Sequence, residues 1–398
     1  MPETVEITGP PRLRGPRDRA LRVAHLTTVD LSLALLLRTE LETDVAAGLR
    51  TFGISAPGHH VAAVEELGVT HVPVPSLSRS WDPRSDLRAA RELARVLRAL
   101  DLDVLHTHNP KTGVLGRMLG RLVGVPVVVN TCHGLWATPR DRRRKRFAVV
   151  TAEAVASAFS HAELYQNATD RDTLHRWVRG RTEVVGNGVD LRRFVPDRAA
   201  GRQVRAAWGV GDHELLVGAV GRRVAEKGVR EYAEAARALH GRARFVWVGP
   251  EDHDKPDALG DETGGAVQFV GECTDMRAVY GALDVFALPS YREGFSRSAM
   301  EAAACGLPMV LSDIRGCREI GRHGEELLLV PAGDSAALAD ALGRLLADSS
   351  LRGRLGVAAR ERAVAEFDQR AVAAASLRTY ATVAAGAGLG WTSRAVAP

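Results

Sequence analysis

Short β-branched runs alternate along this chain with longer stretches whose apolar residues recur at helical spacing, and the alternation comes in two series. The first series opens on a strand at 22–26 (RVAHL). Residues 86–100 (DLRAARELARVLRAL) carry the three- and four-residue apolar spacing of a helix with one buried face. A strand at 103–106 (DVLH), a helix at 112–123 (TGVLGRMLGRLV) and a buried strand at 126–131 (PVVVNT) follow. Asp101 and Gly124-Val125-Pro126 supply the breaks that helix-to-strand turns require. The second series starts near residue 213 with a strand at 214–221 that ends in glycine, a helix at 229–240 and a strand at 244–249. Strands at 266–271, 284–290 and 308–313 come next, with a helix from Ser296 to Ala304 between the last two. Residues 335–384 read as almost wholly helical. Such alternation predicts parallel sheets built from βαβ units.

Between the series lies VVGNGVDLRRFVPDRAAG (184–201), where Gly-Asn-Gly permits a positive-φ turn and the Pro/Asp/Arg stretch reads as a linker. A chain of 398 residues is too long for one ordinary core and suits two domains. The expected fold is therefore α/β, with two Rossmann-like domains facing each other across a cleft. Residues 1–20 are expected as a disordered tail, 21–190 and 191–370 as the two domains, and 371–398 as a terminal helix and tail crossing back to the first domain.

Composition narrows the class. The apolar share of 45% and charged share of 25% belong to an ordinary globular protein. A net charge of +5 and a pI near 9.3 favour anionic partners: nucleotide phosphates, acidic lipid or nucleic acid. Cys132, Cys273, Cys305 and Cys317 are scattered, without a CxxC pair, and read as reduced thiols. The first twenty residues lack the apolar core of a signal peptide, and no apolar run approaches the roughly 18–20 residues that span a bilayer. A cytoplasmic location is expected.

Two motifs carry the chemistry. Glu293 and Glu301 bracket a strand end, a glycine and the start of a helix, in Glu293-Gly-Phe-Ser-Arg-Ser-Ala-Met-Glu301. Open α/β sheets bind ligands beyond the carboxyl ends of their strands, and free N–H groups at a helix start suit a diphosphate. A surface glutamate and a helix salt bridge would give the same pair. The second motif, Gly221-Arg222-Arg223-Val-Ala-Glu-Lys227-Gly228, follows a buried strand and precedes a helix. Arg222 and Lys227 suit a diphosphate leaving group; alone, the stretch also reads as a solvated basic loop. Both motifs in one half argue for a nucleotide site.

The carboxyl-terminal half resembles the family-4 retaining glycosyltransferases with the GT-B fold, which carry an E-x7-E motif and a GR-x4-KG loop. Here these are Glu293/Glu301 and Gly221-Arg222 with Lys227-Gly228. NGVD at 187–190, VGP at 248–250, LPSYREGF at 288–295, EAAACGLP at 301–308 and SDIRGCRE at 312–319 extend the resemblance. Within the family the chain is similar to bacterial transferases that extend lipid-linked or capsular glycans, of the bacillosamine N-acetylgalactosaminyltransferase type.

The resemblance implies an acceptor-binding amino domain and a nucleotide-sugar-binding carboxyl domain. It gives Arg222 and Lys227 the donor diphosphate, Glu301 the ribose and Glu293 the sugar hydroxyls, with Gly294, Phe295, Ser296 and Arg297 lining the sugar and phosphates. His133, in Thr-Cys-His-Gly, takes the place of the family's active-site histidine, which contacts the donor sugar. Retention by front-face attack, with the departing phosphate as base, is implied, and neither a divalent metal nor a cofactor is expected. The implied donor is a UDP-sugar such as UDP-GlcNAc, UDP-GalNAc or UDP-Glc, other nucleotides staying open. The acceptor is a hydroxyl of a lipid-linked saccharide, a polysaccharide precursor or a specialised metabolite. Rival readings on the same fold are a UDP-sugar 2-epimerase and a non-catalytic nucleotide-sugar-binding protein. One departure stands out: where the family often has a Gly-Gly loop after the first strand, this chain has Thr27-Thr28-Val29-Asp30-Leu31-Ser32.

Thr28, Asp30, His108, Asn109 and Lys111 are the candidate acceptor-side residues. His106 and His108 alternate on a strand and share a face; with His133 they fall short of a zinc motif, and His106 also reads as a structural histidine. Arg140, Arg142, Arg143, Arg144, Lys145 and Arg146 precede the apolar stretch 147–159. A solvated loop before a core helix explains them, as does docking on anionic lipid. Nucleic acid is not an expected partner, since no recognition motif or stacking platform accompanies the charge.

Overall fold

A computed structural model of the chain describes residues 12–80, 82–137, 141–178, 180–251 and 264–394. It comprises two compact units, residues 1–186 with 370–398, and residues 187–369.

The first unit opens with a short strand β1 (Arg12–Arg14), followed by β2 (Arg22–Val29), α1 (Arg38–Ala46), β3 (Arg50–Ala56), α2 (Val61–Glu65) and β4 (Thr70–Pro73). Then come α3 (Pro83–Leu100), β5 (Val104–His108), α4 (Pro110–Leu122), β6 (Val127–Cys132), α5 (Arg143–Ser157), β7 (Ala162–Tyr165), α6 (Ala168–Leu174) and β8 (Arg181–Val184). Seven strands form one parallel sheet in the order β4-β3-β2-β5-β6-β7-β8. Helix α3 shows how the sequence builds such a unit. The Asp82 side chain caps its start by accepting from the Ser85 N–H, and Pro83 pre-sets the first turn. Ala89, Leu93 and Leu97, one turn apart, are its buried stripe, and Asp101 ends it in the left-handed conformation.

The second unit runs α7 (Arg198–Ala207), β9 (Leu216–Val220), α8 (Val229–Ala238), β10 (Arg244–Val248), β11 (Gln268–Gly271), α9 (Met276–Ala282) and β12 (Val285–Leu288). It continues through α10 (Arg297–Ala304), β13 (Met309–Ser312), α11 (Arg315–Arg318), β14 (Leu328–Val330), α12 (Ser335–Ala347) and α13 (Ser349–Glu366). Its parallel sheet has the order β11-β10-β9-β12-β13-β14. The strands of β12 and β13 are buried throughout, as a sheet covered on both faces requires. The chain then returns to the first unit as α14 (Gln369–Gly386) and β15 (Thr392–Arg394). Leu377, Tyr380 and Ala384 of α14 join Val23, Val104 and Val127 in the core beneath the first sheet.

Both sheets are doubly wound: strand order reverses between β2 and β5 in one and between β9 and β12 in the other. Ligand sites form outside the carboxyl ends of the strands at such reversals.

Two expectations need correction. The tail through residue 20 was expected to be without structure, but β1 pairs antiparallel with β15, and Arg19 forms a bidentate pair with Asp103. Leu13 and Leu21 are fully buried, which holds this segment down; the tail before residue 12 lies outside the described residues. The basic stretch is not simply a loop ahead of a packed helix either, since much of it belongs to that helix. Arg140 lies outside the described residues, while Arg143–Arg146 form the first turn of α5, and Phe147 beside them is 74% exposed. Among the described residues, no helix is long and apolar enough to cross a membrane.

Candidate active site

In the second unit both sequence motifs gather at the ends of β9 and β12, the strands on either side of its switch point. After β9 the chain turns through Gly221 and Arg222 into a tight turn over Ala225–Lys227. Gly228 then holds φ +76°, and a Cβ there would lie 2.1 Å from the Pro289 carbonyl oxygen. Only glycine fits both the backbone and the space, so the basic loop lies flush against the segment after β12. That approach brings Lys227 Nζ to 2.6 Å from Glu293 Oε1, and Ser290 Oγ donates to the same oxygen at 2.7 Å. Gly316 closes in behind: a Cβ there would sit 2.5 Å from the Glu293 carbonyl oxygen.

Gly294 and Phe295 lead from Glu293 to Ser296, which caps α10 by accepting from the Ala299 N–H. Phe295 is fixed edge-on to Phe367, with ring centroids 5.5 Å apart. Glu301, one turn into α10, accepts from the Tyr280 hydroxyl at 2.9 Å, and Arg297 Nε lies 3.4 Å from its other oxygen. Burial raises the Glu301 pKa above the ordinary carboxylate value, against the opposing charge of Arg297. Arg222 pairs with Glu226 at 3.4 Å, and Arg292 reaches the same carboxylate at 3.3 Å. Arg223 turns inward to Glu251 and lies 4.5 Å over the Phe269 ring. The structure thus brings Gly221, Arg222, Lys227, Glu293, Gly294, Phe295, Ser296, Arg297 and Glu301 to one end of one sheet. Cations, an amide-rich helix start and two carboxylates are together there, the donor set for a diphosphate joined to a polyol.

In the first unit the remaining candidates also lie at carboxyl ends, in the last residues of β2 and β5 or just after β2, β5 and β6. The Thr28 N–H donates to Asn109 Oδ1 at 3.2 Å. Asn109 holds φ 64° and ψ 154°, sparsely populated for a residue with a side chain and costing about 1–3 kcal/mol. Asp30 and Lys111 are engaged within the fold. Asp30 accepts from the Leu31 and His60 N–H groups at 2.8 and 2.7 Å; Lys111 pairs with Asp86 and donates to the Ser80 carbonyl at 2.6 Å.

The histidines form a row that spacing alone did not reveal. His106 is structural, its Nδ1 2.6 Å from the Tyr380 hydroxyl and its Nε2 2.7 Å from Thr131 Oγ1. His108 Nδ1 lies 2.9 Å from His133 Nε2, and His108 Nε2 lies 3.1 Å from His25 Nδ1. His25 Nε2 reaches Asp44 Oδ2 at 2.9 Å, and the Gln166 amide nitrogen meets His133 Nδ1 at 2.9 Å. One ring nitrogen each from His25, His106 and His108 lies within 4.8 Å of the others. The third member of this cluster is His25 rather than His133, and each ring nitrogen of the three already faces a protein partner.

Sequence reasoning missed His25, Asp44, Gln166, Tyr280 and Ser290. A histidine in the middle of the apolar run RVAHL was the available signal for the first, and Ser290 stands three residues before Glu293. Nothing local marks the other three.

Comparison with known proteins agrees with this architecture. Residues 45–193 match the family model described as Glycosyltransferase Family 4, and residues 214–348 match that described as Glycosyl transferases group 1. The chain is 26% identical over 341 residues to the N,N'-diacetylbacillosaminyl-diphospho-undecaprenol alpha-1,3-N-acetylgalactosaminyltransferase of Campylobacter jejuni, covering 83% of this chain and 90% of that one. It is 32% identical over 300 residues to the D-inositol 3-phosphate glycosyltransferase of Xylanimonas cellulosilytica, covering 70% and 72%. In fold it is similar to Anabaena HepE, solved with UDP and glucose, with a TM-score of 0.75 at 18% identity, covering 91% of this chain and 100% of that one. Two doubly wound sheets, the glutamate pair beside the basic loop and matches over both halves have one reading: the chain belongs to glycosyltransferase family 4 and is a glycosyltransferase of GT-B fold.

Proposed function

We propose that this glycosyltransferase works with retention and without a metal ion, moving a sugar from a UDP-sugar to a hydroxyl of a lipid-linked saccharide or polysaccharide precursor. The observation that carries the donor reading is the Lys227–Glu293 pair at 2.6 Å, with Glu301 one turn into the adjacent helix. Lys227 and Arg222 supply the positive charge that a departing diphosphate needs, which is the role a divalent ion would otherwise fill. Glu293 takes the sugar hydroxyls, Glu301 the ribose, and His133 is assigned to the donor sugar. HepE, with its UDP and glucose, supports UDP as the nucleotide. The Campylobacter relative, whose name specifies an undecaprenol-linked acceptor, supports a lipid-linked one.

A thermal-shift panel of UDP, GDP and their sugars should pick UDP. Mass spectrometry with undecaprenyl-diphospho-sugar acceptors should then find one added sugar, with the donor's anomeric configuration by NMR and full activity in EDTA. An inverted linkage, or EDTA loss restored by Mg²⁺ or Mn²⁺, would sink the reading. UDP-GlcNAc converted without any acceptor would favour the epimerase instead.

The proposed place of work is the cytoplasmic membrane face. Arg142, Arg143, Arg144 and Arg146 are exposed at the start of α5, whose outer side carries Phe147 and Val155 at 74% and 51% exposure. Lys145 lies 5.0 Å over the Trp136 ring, keeping a second aromatic beside this basic end. Each surface cation near anionic lipid contributes about 1 kcal/mol. The full chain is expected to sediment with phosphatidylglycerol vesicles but not with phosphatidylcholine ones, and Phe147→Glu to weaken this. Equal binding to both lipids, or none, removes the membrane from the proposal.

A further inference from the structure

We propose that His133, His108, His25 and Asp44 form a proton relay, in which a proton taken up at His133 is held between His25 and Asp44. The two-way chain of hydrogen bonds is the basis. Starting from the Gln166 amide, each contact fixes the next tautomer. The amide N–H donates to His133 Nδ1, so His133 carries its proton on Nε2 and donates to His108 Nδ1. His108 is then protonated on Nε2 and donates to His25 Nδ1, and His25 Nε2–H donates to the Asp44 carboxylate. Every imidazole has one donor and one acceptor nitrogen in place.

Adding one proton reverses the row. It binds His133 Nδ1; the Nε2 proton of His133 passes to His108 Nδ1, and the Nε2 proton of His108 passes to His25 Nδ1. Three N–H bonds form and two break, so the balance is one proton gained, held on a His25 imidazolium against the Asp44 carboxylate. The Gln166 amide turns over to present its oxygen to the new His133 N–H. Returning the proton runs the same steps backward.

The surroundings place the charge at the inner end. His25, Asp44, His106 and His108 are fully or almost fully buried, and His133 half-buried. Burial pushes His108 well below the ordinary histidine range and His133 down to about 4. Burial opposes charge on His25 as well, but the hydrogen bond and charge of Asp44, with the charge of Glu40, raise it above the ordinary value. Asp44 Oδ1 is buried and makes no hydrogen bond, and burial raises the Asp44 pKa against the opposing hydrogen bond and charge of His25 at Oδ2. The other groups facing the row are Glu40 from α1, which accepts from Ser376 and lies 3.4 Å from His106 Nδ1, His106 from β5 and Tyr380 from α14. His106 has its nitrogens on Tyr380 and Thr131 and stands outside the relay.

Asp44, His25 and His108 are thus positioning residues that set which nitrogen of His133 bears a proton. Their use in turnover rests on the glycosyl-transfer reading above; the relay itself is read without substrate. In ¹⁵N-histidine-labelled full-length protein, His25 should gain its second proton at one pH, with His108 and His133 switching from the Nε2–H to the Nδ1–H tautomer at that same pH. His106 should not follow. In Asp44→Asn the joint change should move down by about one to three pH units. In His108→Gln, His25 should still titrate while His133 no longer follows, which keeps the test open should either variant misfold. A His133 spectrum identical in wild type and both variants would overturn the relay, as would one zinc ion per chain removed by chelator with the histidine shifts changing. Absence of sugar transfer by wild-type protein would instead strike the functional reading and leave the tautomer result standing.

Discussion

Replacing Glu293 with alanine is expected to lower sugar transfer by about 10²–10³-fold while UDP affinity stays within about threefold. The reason lies in what Glu293 touches. Both of its protein contacts, Lys227 Nζ and Ser290 Oγ, fall on Oε1, and its backbone is braced by the close approach of Gly316. A carboxylate held so firmly at a strand end is suited to accept hydroxyl hydrogens from the transferred sugar, whose charge grows as the bond to phosphate breaks. Its removal also releases Lys227, so the diphosphate meets a cation that no longer has an internal partner. UDP affinity should therefore hold or rise slightly. Isothermal titration with UDP alongside initial-rate assays separates the two effects, and UDP binding lost in step with transfer would falsify the sugar assignment.

Lys227→Ala should act on the other side of the scissile bond. A charge-assisted hydrogen bond to phosphate is worth about 1.5–3 kcal/mol, so UDP and donor should both bind about 10–150-fold more weakly. The substitution also leaves the Glu293 side chain, 11% exposed, without its ion-pair partner. A lone carboxylate would then face the incoming diphosphate, and like-charge repulsion adds to the loss. The double variant Lys227→Ala with Glu293→Ala should recover part of the UDP affinity while transfer stays at least about 10²-fold down. Unchanged affinity in the single variant would take Lys227 out of the diphosphate site.

Much of the architecture was legible because it is local. The strands at 104–108, 127–132, 285–288 and 309–312 and helices α3, α4, α8 and α10 follow from apolar spacing over single turns and pleats, and from breakers such as Asp101 and Gly124. The donor-side motifs were legible for the same reason: Glu293 and Glu301 stand on one strand-to-helix connection, and Gly221 to Gly228 on another. Asp30 and Lys111 show where such reasoning weakens. Their types suit an acceptor site, but backbone N–H groups of the Asp30 loop, and Asp86 with the Ser80 carbonyl, engage them inside the fold.

The sequence by itself thus determined the two βαβ series and the two motifs that meet at the end of the second sheet. Periodicity and turn chemistry act over a few residues and need no knowledge of what packs against what. Tertiary structure alone decided that Lys227 meets Glu293, 66 positions away, through a loop contact that only Gly228 allows. It also assembled the histidine row: Asp44 lies 19 positions from His25, and His25 lies 83 from His108. These join because α1 packs on β3, the neighbour of β2, and because β2 and β5 are neighbours at the switch point, with His25 in register with His106. Such pairings depend on strand order, which is settled by the packing of the whole sheet rather than by any one of its segments.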